Sequence, residues 1–247
     1  YIKYRIPNIK ILLFGDIEHQ LPPVGEENRN FNHSYVIKEL TNFTKITLDY
    51  NFRMGVSGDK LWEYSATPQM FPCNGGELTD RNLCYTNKKR MEIIEERQDK
   101  ILNPIIVEYE PEVEEEEEDD DIVRLPRYDE RQTLKYTLGT PMIARMSIKK
   151  DNIAKNEMYY VVCLTPLKLI SVTNNLIEID NEILLQQFLS GFCVTIHKSQ
   201  GETYTDRYTI HEWYKISQSD RNGMKRKLRY TAQSRSENPE KNIMYRI

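Results

Sequence analysis

The 247-residue chain reads as an α/β protein, a parallel sheet flanked by helices with a smaller β-rich part. Three observations predict this. Two apolar runs, residues 9–14 and 188–194, have the composition of strands buried on both faces, and each leads into a polar loop. Two segments, 89–102 and 228–236, carry apolar residues at helical spacing. Between them, residues 136–173 are β-like throughout. Ligands of open α/β sheets bind beyond the carboxyl ends of the strands, which is where the two polar loops fall.

In chain order, the first strand is Ile9-Lys10-Ile11-Leu12-Leu13-Phe14, ended by Gly15-Asp16. Gln20 follows in a loop stiffened by Pro22-Pro23, whose rings fix φ and oppose helix. Residues 35–40 are a short helix. Residues 46–54 form an alternating strand that ends at Arg53. The planar guanidinium fork of arginine suits bidentate contact with phosphate. A helix over 59–64 is followed by breaks at Pro68, Pro72 and Gly75-Gly76. Residues 83–86 are a core strand and 89–102 a helix. From 103 to 126 the pattern dissolves into acids and prolines, including an unbroken acidic run from Glu114 to Asp121. Like charges repel there and little can be buried, which predicts a mobile loop. Residues 141–146 and 158–164 are strands, with Asn156-Glu157 as the turn between them. Residues 188–196 return to the main sheet, and 208–211 and 242–245 are further strands. In the helix over 228–236, Leu228, Thr231 and Ala232 share a face and Arg235 lies a turn further on.

The most informative stretch is Thr195-Ile196-His197-Lys198-Ser199-Gln200-Gly201-Glu202-Thr203, at the end of the second apolar run. Its hydroxyls, amide, ammonium and unhindered glycine suit phosphate oxygens. Charge placement agrees. The net charge is −4, but the acidic run accounts for all of it, and residues 191–247 hold eleven basic against six acidic side chains. Lys225-Arg226-Lys227 with Arg229 is the densest basic cluster, which fits either a solvated helix face or a phosphate contact. A composition of 39% hydrophobic and 29% charged residues fits a soluble globular protein. No apolar run reaches the roughly 18 residues of a membrane span, so no membrane partner is expected. The four cysteines show no C-x-x-C spacing. Cys84 and Cys193 read as small core residues, and the set points to a reducing compartment, cytoplasmic or nuclear, without a zinc site.

Taken together, these segments resemble the motifs of superfamily 1 nucleic-acid helicases, in the RecD-like branch (superfamily 1B). GDIEHQLPPV, from Gly15, resembles the third motif of that family, and LDYNFRM, from Leu48, the fourth. TIHKSQGET, from Thr195, resembles the fifth, and YTAQSRS, from Tyr230, the sixth. Residues 82–90 are similar to the strand and loop after the fourth motif, and 139–144 to the strand that opens the family's β-rich insertion. The six segments occur in the family's order across nearly the whole chain. Gln233 stands where relatives carry leucine, and Glu202 lies one residue after the glycine rather than two.

The resemblance implies a P-loop NTPase-type RecA-like domain with a small SH3-like insertion and a UvrD-like helicase C-terminal domain. Residues 1–45 would be the tail of a first RecA-like domain. Residues 46–102 and 186–247 would form the second, and 103–185 the insertion with its acidic loop. No glycine is followed by lysine, so the chain has no G-x-x-x-x-G-K-S/T phosphate cradle. The expectation is therefore the C-terminal half of an ATP-dependent 5′→3′ DNA helicase, unable to hydrolyse ATP alone. ATP with Mg²⁺ would be bound mainly by a preceding half. Gln20, Arg53 and Arg235 would act on the transferred phosphoryl group, the arginines as charge-neutralising fingers. Gly15, Asp16, Gln20, Arg53, Gly201, Glu202 and Arg235 would line the nucleotide side. Thr195, His197, Lys198, Ser199 and Gln200 would line a single-stranded DNA path and hold its backbone without reading sequence. No metal ligands are assigned within the chain. Replication or repair proteins are the expected further partners. Two alternatives stay open: an RNA helicase of a virus, acting in the infected cell, and a non-catalytic nucleic-acid-binding or replication scaffold derived from a helicase.

Overall fold

A computed structural model describes residues 9–16, 19–22, 34–47, 50–51, 56–57, 62–63, 65–66, 79–108, 133–149, 152–218, 223–238 and 242–246. Arg53 and the acidic run lie outside the described residues. The chain divides into two compact units, Leu78–Lys198 and a second made of Tyr1–Glu77 with Ser199–Ile247.

The first described segment corrects the sequence reading. Residues 9–14 adopt no strand, and Leu12, Leu13 and Phe14 are exposed. An apolar run becomes a buried strand only where neighbours offer ladder partners, and among the described residues none pairs with it. Helix α1, Tyr35–Leu40, falls where predicted, because the Ser34 hydroxyl accepts from the Ile37 N–H and satisfies an orphan donor of its first turn. Of the alternating strand expected over 46–54, the described residues 46–47 adopt no strand and Tyr50–Asn51 form β1, paired antiparallel with β2, Val56–Ser57, and the rest of that span lies outside the described residues.

The unit Leu78–Lys198 begins with β3, Arg81–Cys84, and α2, Asn87–Gln98. The Thr86 hydroxyl caps α2 by accepting from the Lys89 N–H at 3.2 Å. Arg90, Ile93, Ile94 and Gln98 recur at helical spacing and form its buried face. Strand β4, Ile105–Val107, pairs antiparallel with β5, Leu134–Tyr136. Strands β6 (Pro141–Ala144), β7 (Met158–Leu164), β8 (Leu167–Ser171) and β9 (Leu176–Glu178) follow, most of them within the segment that the sequence marks as β-like. Helix α3, Asn181–Gln187, is capped by the Asp180 carboxylate, and β10, Phe188–Ser190, completes a five-stranded antiparallel sheet in the order β10-β6-β7-β8-β9. Alternation along β8, where Leu167, Leu169 and Ser171 are buried, puts one face into a core with Met142, Tyr159, Val161 and Phe188.

The apolar run from residue 188 is not one strand. After β10 the chain turns at Gly191 and Phe192 and enters β11, Cys193–Thr195, which pairs parallel with β3, Val194 opposite Leu83. A Cβ on Gly191 would lie 2.9 Å from the Pro141 carbonyl carbon and 2.8 Å from the Met158 sulfur, so only glycine fits this crossing. Cys84, Cys193, Phe192, Ile93 and Ile94 form the core behind the parallel pair. Cys84 and Cys193 are buried thiols there, as expected.

In the second unit, β12 (Tyr208–Ile210) is followed by helices α4 (Trp213–Ser217) and α5 (Met224–Gln233), then by β13 (Ile243–Tyr245), parallel to β12. Helix α5 buries every residue from Leu228 to Gln233. Its C-terminal turn is tied to β12 by the Tyr208 hydroxyl, which donates to the Ala232 carbonyl at 2.7 Å. Trp213 packs against Tyr245 with ring centroids 4.4 Å apart and planes inclined at 58°.

Candidate functional site

The site is built from the three loops that carry the third, fifth and sixth motif-like segments. Gln20 comes first. The Asp16 carboxylate accepts the His19 N–H at 3.0 Å, and the Gln20 N–H donates to the Asp16 carbonyl at 3.3 Å. Asp16 thus shapes the turn that presents Gln20, and Gly15 has open space around it. The Gln200 side-chain amide then meets this turn. Its Nε2 donates to Gln20 Oε1 at 2.9 Å and to the Leu21 carbonyl at 3.4 Å.

Gly201 follows Gln200 with φ of +98°, a conformation open to glycine, and the Glu202 N–H closes the turn onto the Ser199 carbonyl at 3.1 Å. Arg235 holds this turn from the end of α5. It is 2% exposed. Its Nη1 donates to the carbonyls of Ser199 and Glu202, both at 3.2 Å. Its Nε donates to the Thr231 carbonyl at 2.9 Å and Nη2 to the Ser234 hydroxyl at 2.8 Å. A buried guanidinium is tolerable because its donors are matched this way. The Tyr204 N–H donates to the Arg235 carbonyl, and the Tyr204 hydroxyl donates to the Glu202 carboxylate.

The structure therefore brings Gln20, Ser199, Gln200, Gly201, Glu202 and Arg235 together through Gln200 and Arg235. Ser199 is fully buried, whereas Gln200 and Glu202 are half-buried and Gly201 is exposed. Thr195, His197 and Lys198 belong to the other unit, each half-buried, and the Thr195 hydroxyl accepts the Lys198 N–H at 3.3 Å. Arg53 is not among the described residues. Among those that are, no group of His, Cys, Asp or Glu is placed to hold a metal ion, and no helix is long and apolar enough to cross a membrane.

Sequence reasoning missed an aromatic pile. His19 lies edge-on to Trp62 at 4.8 Å and beside Tyr230 at 5.4 Å. The Arg226 guanidinium sits 3.8 Å over the Trp62 ring and donates to the Trp62 carbonyl at 2.9 Å. Burial pushes the Arg226 pKa down and Glu63 works against that shift. Arg229 donates to the carbonyls of Ser65 and Ile216. Half of the densest basic cluster is thus engaged in packing α5. Nothing in the local sequence distinguishes these arginines from the lysines beside them.

No protein-family model matches this sequence, and no curated protein matches it. The described residues form a mixed α/β fold, in which parallel strand pairs and helices accompany a five-stranded antiparallel sheet. One solved structure shares the fold. Pif1 helicase from Candida albicans superposes with a TM-score of 0.58 at 15% identity, over 92% of this chain and 62% of that one. Pif1 helicase from Bacteroides, in complex with ADP-AlF3 and ssDNA, gives 0.46 at 16% identity, over 92% of this chain and 60% of that one. Bacteroides Pif1 bound to ssDNA gives 0.45 at 16% identity, over 77% and 45%. The fold comparison rests on the Candida structure, and the chain spans less than two thirds of each of these proteins.

Proposed function

We propose that this chain is the C-terminal part of an ATP-dependent DNA helicase that translocates 5′→3′ on single-stranded DNA. The observation that carries the reading is the convergence of Gln20, Gln200 and Arg235, one from each of three motif-like segments, on a single turn. Likeness to the Pif1 fold supports it. ATP hydrolysis would supply the free energy for movement. The amide of Gln20 and the guanidinium of Arg53 would serve the phosphate-sensing side of such a nucleotide. The phosphate cradle and Mg²⁺ site would lie in a preceding half. Thr195, His197 and Lys198 would hold the DNA backbone. Arg235, with its donors on the Ser199 and Glu202 carbonyls, would serve the phosphoryl group through the turn that it holds.

The test is the full-length protein that carries this chain. It should hydrolyse ATP faster with single-stranded DNA and unwind duplexes with a 5′ tail rather than a 3′ tail. The 247-residue chain by itself should hydrolyse none. Stimulation by RNA and not by DNA would favour the RNA helicase alternative. Absence of hydrolysis with either would favour the scaffold.

A further inference from the structure

The Gln200 side chain faces the turn of Gln20, and its chemistry sets which end of the Gln20 amide looks outward. The Leu21 carbonyl can only accept a hydrogen bond, so the Gln200 atom 3.4 Å from it must be the amide nitrogen. The second hydrogen of the same nitrogen goes to Gln20 at 2.9 Å, so the atom of Gln20 facing it must be the carbonyl oxygen, Oε1. The NH₂ end of Gln20 is thereby directed away from Gln200. A phosphate oxygen only accepts, so a residue that senses phosphate must offer it a donor.

We infer that Gln200 is a positioning residue that fixes the Gln20 amide with its donor end toward the nucleotide, rather than a contact to the DNA strand. This inference rests on the helicase reading above. The anchor on Gln200 is the Leu21 backbone, and Leu21 is itself buried at 5% exposure. Gly201, with its positive φ, and Arg235, on the Ser199 carbonyl before Gln200, hold the Gln200 backbone in place. Both amides therefore start from fixed backbones, and a single rotamer of Gln200 decides the polarity of Gln20.

The test uses the full-length protein carrying this chain, with Gln20→Ala, Gln200→Ala, Gln200→Glu and the double variant Gln20→Ala, Gln200→Glu. A carboxylate at position 200 accepts only, so it draws the Gln20 NH₂ toward itself and withdraws the donor from the nucleotide. Gln200→Glu should lower kcat for DNA-stimulated ATP hydrolysis by about 10- to 100-fold, the worth of one hydrogen bond to a charged group. Gln200→Ala frees the amide without inverting it and should cost less. The double variant should be no slower than Gln20→Ala alone, because the two residues act as one device. Affinity for a labelled single strand without nucleotide should follow none of these changes in kcat. Two results overturn the assignment: multiplicative losses in the double variant, or a Gln200→Ala protein that binds DNA weakly but turns over normally at saturating DNA. If the unsubstituted protein shows no DNA-stimulated hydrolysis, the helicase reading fails and this assignment falls with it.

Discussion

Arg235 Nη1 lies 3.2 Å from the carbonyl oxygen of Ser199, a contact that joins the end of a helix to a turn 36 residues earlier. The same nitrogen reaches the Glu202 carbonyl, so one guanidinium spans the turn around Gly201. Arg235→Ala should leave these carbonyls without their donor and lower the unfolding free energy by about 2–4 kcal/mol in urea titration. Arg235→Lys should recover little of this, since a single ammonium cannot reproduce the fork. Equal stability of all three proteins would show that the contact is incidental.

The 247-residue chain should bind single-stranded DNA weakly and without sequence preference. Log affinity should fall with log salt at about −0.7 per phosphate contact. Lys198→Ala should make that slope shallower by about one contact, whereas Arg229→Ala should act on melting temperature instead, because Arg229 holds the Ser65 and Ile216 carbonyls. Fluorescence anisotropy across a salt series, with thermal melts of the same proteins, separates the two effects.

Glu157 gives the antiparallel sheet an acid-sensitive clasp. Burial pushes its pKa up, but hydrogen bonds from Thr173, Ser171, the Ala154 N–H and Tyr159 outweigh burial and leave it below the usual value. A carboxyl depressed in the folded state adds stability above its unfolded pKa and loses it as pH falls through the folded value. Melting temperature should therefore drop below about pH 4.5, and Glu157→Gln should flatten that acid limb while leaving the curve above about pH 6 level with its own plateau.

Gly191→Ala should destabilise the protein by about 1–3 kcal/mol, the usual result of forcing a methyl into filled space. The new carbon would meet backbone at Pro141, which cannot swing aside as a flexible side-chain tip can. Calorimetry checks this, and a melting temperature equal to that of the unsubstituted protein would mean that the crossing can widen.

How far the sequence could be read depended on whether a signal was local. Helix α1 and strand β7 fall on the predicted residues because a cap residue, or a run of aromatic and β-branched residues, is contained in the segment itself. Residues 9–14 failed because apolar composition reports a wish for burial, and burial depends on partners that the segment does not contain. Residues 188–195 failed for a related reason: two short strands bound for different sheets share one apolar composition, and Gly191 was the only mark of the break. At the site, the residue types were legible but their meeting was not. An amide in each of two polar loops could be picked out, yet nothing local says that Gln20 and Gln200, 180 positions apart, would share a hydrogen bond.

The crossing at Gly191 and Phe192 also bears on how such a chain can be rebuilt. Two residues reach at most ~7 Å, which leaves no slack between β10 and β11. A foreign β module grafted in place of the β-rich segment could be joined loosely at its upstream end, since added loop length is cheap in entropy. At its downstream end it would have to deliver the chain in the direction and register that β11 needs to lie beside β3. The β-rich segment is thus interchangeable from one side only, and shuffling of modules, natural or designed, would be expected to keep the glycine along with the strand that precedes it.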